Sequence, residues 1–170
     1  MGERPSGRQE TEEQRLDRNL GELLQELRVA LPGVQVLFAF LLAVPFQQRF
    51  GGVTEFEKDV YFATLLLTAL SAALLIAPSA YHRLTFHYQQ KRHLVRVANR
   101  CAIAGLAALA LAMTCAVLLI SNFLFGTATA IVATAGAFVL FVVLWAALPL
   151  SRLLRYRREG VLPSAPPRSD

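Results

Sequence analysis

Between Arg100 and Arg152 the chain carries no charged side chain, a run of about fifty residues. A bilayer crossing takes roughly twenty apolar residues, so this run fits two crossings. Two further uncharged stretches precede it, residues 29–46 and 60–80. Ser121-Asn122 and Gly126 divide the long run into residues 101–120 and 127–148. Lipid offers no water to backbone N–H and C=O groups, so each span must satisfy its own and be helical. The alternation of a membrane β-barrel is absent. These runs predict an all-α, polytopic membrane protein with four transmembrane helices. The composition agrees, with 55% hydrophobic residues against about 45–50% in a soluble domain.

The segments flanking the spans read differently. Residues 1–10 are polar, carry Pro5 and Gly7, and are expected to be a disordered tail; residues 158–170 read the same way. The opening of the chain lacks the apolar stretch of a signal peptide. Thr11-Glu12-Glu13-Gln14 fits a capping box, in which the threonine hydroxyl accepts from a first-turn N–H and the glutamine reaches back. Leu16, Leu20, Leu23, Leu24 and Leu27 follow at helical spacing. An N-terminal cytoplasmic amphipathic helix is therefore expected over 11–28, ahead of a transmembrane domain over 29–157.

The positive charges orient the spans. Five lie before span one (Arg4, Arg8, Arg15, Arg18, Arg28) and five between spans two and three (Arg83, Lys91, Arg92, Arg96, Arg100). Five more follow span four (Arg152, Arg155, Arg157, Arg158, Arg168), while the two remaining loops hold Arg49 and Lys58. Cytoplasmic loops carry the excess of Lys and Arg, so both termini are expected in the cytoplasm. Trp145 falls near the inner end of span four, where an interfacial indole is expected. The net charge of +5 is thereby explained by topology, and no nucleic-acid partner is implied. Cys101 and Cys115 lie about 21 Å apart along one helix, beyond disulfide reach. Neither has the neighbours of a nucleophile or metal site.

The stretch ELLQELRVALPGVQVLFAFLLAVPFQQRF, from Glu22 to Phe50, with DVYFATLLLTALSAALLIAPSAYHR, from Asp59 to Arg83, resembles a family of small four-span bacterial membrane proteins catalogued as a domain of unknown function. The resemblance runs from about Leu16 to Arg157, and its most specific part is the leucine-rich entry into LPGVQ. It implies a membrane fold in a bacterial plasma membrane, and no activity.

Several constellations admit two readings. Leu16, Leu20, Leu23 and Leu27 alternate four and three apart, and the phase continues through Ala30, Val34, Leu37, Leu41 and Val44. Such a seam lets one helix pack continuously on another. Its polar face is acidic (Glu12, Glu13, Asp17, Glu22, Glu26), unlike a helix lying on anionic lipid, which favours docking on protein. The partner is the chain's own cytoplasmic face or another subunit. Pro32-Gly33 interrupts this seam: Pro32 cannot donate to the Arg28 carbonyl, so a kink or break is expected. It is either a hinge at a permeation site or a bend between interfacial and spanning helices. Gln35, the deepest amide in span one, lines a polar path or hydrogen-bonds a neighbouring helix.

Thr64, Thr68 and Ser71 share one face of span two, Ala104, Ala108, Ala112 and Ala116 one of span three. Span four opens with Thr127, Ala130, Ala133, Thr134, Gly136 and Ala137 before turning bulky at Phe138. Small residues allow close helix approach in a tight bundle, and hydroxyls can also line a conduit. In the outer loop, Thr54-Glu55-Phe56-Glu57 fits a second capping box, with Asp59 at a positive helix end; the competing reading is a cation-concentrating mouth. The inner loop holds His82, His87 and His93. Gaps of five and six do not bring them to one helical face, so pH sensing is open and zinc is not expected. Arg92, Arg96, Arg100, Arg152 and Arg155 form a basic collar suited to anionic headgroups.

No span contains an acid or base, which argues against a proton relay. No convergent nucleophile, base and orienting group marks an enzyme, and no cofactor is implied. The primary expectation is a non-catalytic membrane module acting through helix association, as a homo-oligomer or with another membrane protein. The alternative is a small oligomeric channel or facilitator.

Overall fold

The computed structural model describes residues 11–85, 91–148, 150, 151 and 154. Helix α1 (Glu12–Ala43) leads through two short 3-10 turns, Val44–Phe46 and Gln48–Gly52, into α2 (Glu55–Thr85). Then come α3 (Lys91–Phe125) and α4 (Thr127–Phe141), the latter continued by a π-helical turn over Val142–Ala147. Among the described residues there is no strand. Four helical stretches are long and apolar enough to cross a membrane: Gln14–Phe46, Glu55–Tyr81, His93–Phe125 and Thr127–Ala147. The fold is all-α with four candidate spans. The tails at 1–10 and 158–170 lie outside the described residues.

Both capping boxes form. Thr11 N–H donates to Gln14 Oε1 at 3.1 Å, and Gln14 N–H to Thr11 Oγ1 at 3.3 Å. Thr54 N–H donates to Glu57 Oε2 at 2.8 Å, and Glu57 N–H to Thr54 Oγ1 at 3.3 Å. Each box satisfies two amides that a helix start leaves without partners.

The helices outrun the expected spans. The break anticipated at Pro32-Gly33 does not occur, and α1 runs unbroken for 32 residues, about 48 Å at 1.5 Å per residue. Leu20, Leu27, Val34 and Leu41 are all buried, one heptad apart, so the packed seam stays in phase across the proline. Pro32 itself is exposed, and only the bond to the Arg28 carbonyl is forgone. Helix α2 likewise continues past Pro78, which is buried. Helix α3 passes through Ser121-Asn122 and ends at Phe125. The punctuation is Gly126 alone, at φ +83° and ψ 176°. That conformation belongs essentially to glycine, and there the Gly126 N–H donates to the Asn122 carbonyl.

The chain forms two compact units, residues 1–116 and 117–170. In the first, the buried positions of each helix recur with a heptad rhythm. Along α2 they are Glu57, Tyr61, Thr64, Thr68, Ser71, Leu75 and Pro78, alternately four and three apart. Along α3, Ala98, Gly105 and Ala112 lie seven apart. One cluster joins Leu27 and Val34 of α1, Leu75 of α2, and Ala102 and Leu109 of α3. A second joins Leu20 with Leu94 and Ala98, flanked by Leu23, Leu24, Tyr81 and Val95. Helices α1 and α3 therefore run parallel, with α2 antiparallel to both. Repeats of this period are what knobs-into-holes packing requires.

In the second unit, α4 buries Ala130 and leaves Val132, Val139 and Leu140 exposed. A helix apolar on all sides suits a lipid solvent. Phe141 and Trp145 meet edge to face at 5.2 Å between ring centroids.

Candidate interhelical polar seam

The hydroxyl stripe of α2 lies inside the first unit. Thr64, Thr68 and Ser71 each have 0% exposure. Two hydroxyls turn back onto their own helix: Thr64 Oγ1 donates to the Val60 carbonyl and Thr68 Oγ1 to the Thr64 carbonyl, both at 2.7 Å. Ser71 reaches across, its Oγ donating to the Gly105 carbonyl of α3 at 2.8 Å. The stripe thus ties α2 to α3 through Ser71.

Gly105 allows that approach. A Cβ built on it would lie 2.8 Å from both Cγ and Cδ2 of Leu75 and 3.3 Å from Leu74 Cβ. Leu75 is itself fully buried and cannot withdraw into open space. Small residues at a crossing bring helix backbones together, which supplies dispersion contact where hydrocarbon provides no hydrophobic drive. Sequence reasoning missed Gly105, although the repeat Ala98, Gly105, Ala112 carries the signal. It pointed instead to Ala104, Ala108, Ala112 and Ala116. Ala108 and Ala112 are buried, Ala116 is half-buried, and Ala104 is exposed. A strict four-residue spacing drifts off a seam whose true period is 3.5.

Tyr61 was missed as well. Its hydroxyl, in a buried side chain, donates to the Leu41 carbonyl at 2.9 Å. That carbonyl would ordinarily bond the N–H of residue 45, but residue 45 is proline and has none. The Val44 N–H already reaches this carbonyl, shared with that of Phe40, and Tyr61 adds a second donor that pins the C-terminal end of α1 to α2. Phe50 stacks edge-on against it at 5.3 Å. Glu57 is buried within its capping box, its Oε2 also accepting from Thr54 Oγ1 at 3.0 Å. Capping thus gives Glu57 a structural role. Glu55 pairs with Lys58 at 2.7 Å, and Asp59 is exposed.

The other sequence candidates are scattered. Leu20 and Leu27 are buried, Leu16 and Leu23 half-buried, and their seam is covered by α2 and α3 of the same chain. Pro32, Gly33 and Gln35 are exposed, away from the Thr64/Thr68/Ser71 stripe. Arg96, Arg100 and His93 are exposed near the N-terminal end of α3. Arg152, Arg155 and His87 lie outside the described residues, as do the side chains of Arg92 and His82. Among the described residues no cluster of three His, Cys, Asp or Glu could hold a metal ion.

Long antiparallel apolar helices sewn together by small residues and internal hydroxyls define a polytopic helical membrane protein. Its lineage follows from comparison: the chain belongs to a family of unknown function, DUF6328, whose model matches residues 9–149. The match takes in α1 through the π-helical turn of α4, the whole set of candidate spans. No curated protein and no solved structure matches the chain.

Proposed function

We propose that this protein is a non-catalytic integral membrane module of the bacterial plasma membrane, with both termini cytoplasmic, acting through helix association with itself or another membrane subunit. The observation that carries the reading is the closed polar seam. A conduit needs its hydroxyls wetted, whereas Thr64, Thr68 and Ser71 have no exposure and bond to backbone carbonyls. The inner faces of α1, α2 and α3 are spent on one another, so association with a further helix must use outward faces. Exposed Arg96 and Arg100 support contact with anionic headgroups, each charge contributing about 1 kcal/mol near the surface.

Liposome flux tests the reading. Purified protein should carry K⁺, Na⁺, Cl⁻ and H⁺ no faster than protein-free vesicles, and Thr64→Val with Thr68→Val should lower stability without altering flux. An ion-selective current that the double substitution reduces would replace the module with a channel. Such a channel now has a single specific support, the exposed amide of Gln35, which a ring of copies would turn toward its axis.

The fifteen-to-two distribution of positive charge supports the orientation. In a cysteine-free background, Gly51→Cys should react with an impermeant thiol reagent added to intact cells. Gly21→Cys should react only after permeabilisation; both glycines stand in open space. The reverse labelling pattern would invert the topology.

A further inference from the structure

We propose that the Gln35 face of α1 is the surface on which a second copy of this chain packs, the two Gln35 amides hydrogen-bonding to each other inside the bilayer. The proposal rests on the module reading and names its partner.

Gln35 is exposed on α1, in a stretch with no charged residue from Val29 to Gln48. It lies seven residues beyond Arg28, about 10 Å deeper at 1.5 Å per residue. Arg28 is the last charge before the span, and a glutamine side chain is too short to return its amide to that level. A carboxamide carries two donor hydrogens and two acceptor lone pairs. Left in hydrocarbon without partners, such a group costs several kcal/mol. Elsewhere in the first unit the buried hydroxyls Tyr61, Thr64, Thr68 and Ser71 all have carbonyl partners. Gln35 stands apart from that pattern.

The occupant of this face must donate and accept at a fixed depth. Lipid tails do neither. A second copy does both, because a carboxamide is complementary to itself. All copies insert with the same orientation, so a two-fold axis along the membrane normal brings Gln35 opposite Gln35 at one depth with no further adjustment. The face around the amide suits a close crossing: Ala39 follows one turn later and is small and exposed, as helix interfaces in membranes require. Arg28 lies one heptad toward the inner end on the same side and is exposed. Like charges there favour helices that diverge toward the inner end, which sets the crossing between Gln35 and Ala39.

The test uses the full-length protein in liposomes, with dimer fraction read from single-molecule photobleaching over a series of dilutions in lipid. Wild type should dimerise. Gln35→Leu, which keeps the bulk and removes the amide, should shift the dimerisation midpoint at least fivefold toward higher protein density. Gln35→Asn should recover most of that loss. Ala39→Cys, with Cys101 and Cys115 replaced by serine, should form a disulfide-linked dimer on oxidation, and Gln35→Leu in that background should suppress it. A dimer unmoved by Gln35→Leu and not crosslinked through Ala39→Cys would overturn this surface while leaving the module reading in place. A wild-type protein that stays monomeric at every density would overturn the proposal and leave a different membrane subunit as partner. An axial ring larger than two, joined to ion flux in the vesicles above, would overturn both.

Discussion

Gly105→Ala is expected to destabilise the three-helix unit by about 1–3 kcal/mol, the range for forcing an extra group into a filled interior. Alanine raises intrinsic helix propensity by up to about 1 kcal/mol over glycine, but the new methyl would meet Leu75 Cγ and Cδ2 at 2.8 Å. The loss should therefore exceed the gain. Gly105→Leu should be worse, separating α2 from α3 and exposing the Ser71 hydroxyl and its acceptor. The mechanism makes a sharper statement about pairs. Leu75→Ala alone leaves a cavity and costs about 2–5 kcal/mol, yet it also vacates the space the new methyl needs. The double variant should be more stable than the sum of the singles predicts, as expected for residues sharing one volume. Reversible unfolding in mixed micelles would measure all four corners of the cycle. Additive losses would mean that Gly105 and Leu75 do not compete for space.

A comparably large effect is expected in the N-terminal half of α1. Leu20 and Leu27 are 7% and 4% exposed, and each leucine-to-alanine change in a packed core costs about 2–5 kcal/mol. The pair Leu20→Ala and Leu27→Ala should strip hydrogen-exchange protection from amides 12–28 while leaving membrane insertion intact, because the charge-free stretch from Val29 to Gln48 is unchanged. Val29, 78% exposed on the same helix, supplies the contrast: Val29→Ala should move stability by no more than about 0.5 kcal/mol. Protection that survives the double change would mean that α1 is held by contacts other than this seam.

The two experiments probe the same three-helix core from opposite sides. At Gly105 the core is set by what is missing, a side chain whose absence lets two backbones meet. At Leu20 and Leu27 it is set by apolar bulk that lies ahead of the uncharged stretch and continues the packing there. The helix seams therefore do not stop where the charge-free segments stop. The expected break at Pro32 and the expected end of α2 near Pro78 do not occur for this reason. A proline removes one hydrogen bond and adds a local clash, while a heptad seam packs along the whole helix. With Val34 and Leu75 fully buried beside those prolines, tertiary packing outweighs the local signal.

What the sequence determined by itself is whatever depends on the solvent and on residues close in the chain. Uncharged runs of bilayer length required helices, because lipid leaves the backbone no other partner. Thr11 with Gln14 and Thr54 with Glu57 announced two helix starts, because a capping box is written within four residues. The leucine phase from Leu16 to Val44 foretold which side of α1 would be buried. Only the tertiary structure decided which groups meet across helices. It turned the Thr64/Thr68/Ser71 stripe inward and Gln35 outward, aimed the Tyr61 hydroxyl at the Leu41 carbonyl, and set Gly105 against Leu75 with no room for a side chain. Those assignments depend on the register between α1, α2 and α3, and a one-residue slide or a small rotation would alter each of them. That register comes from the joint fit of three packed surfaces, a property that no single helix carries in its own sequence.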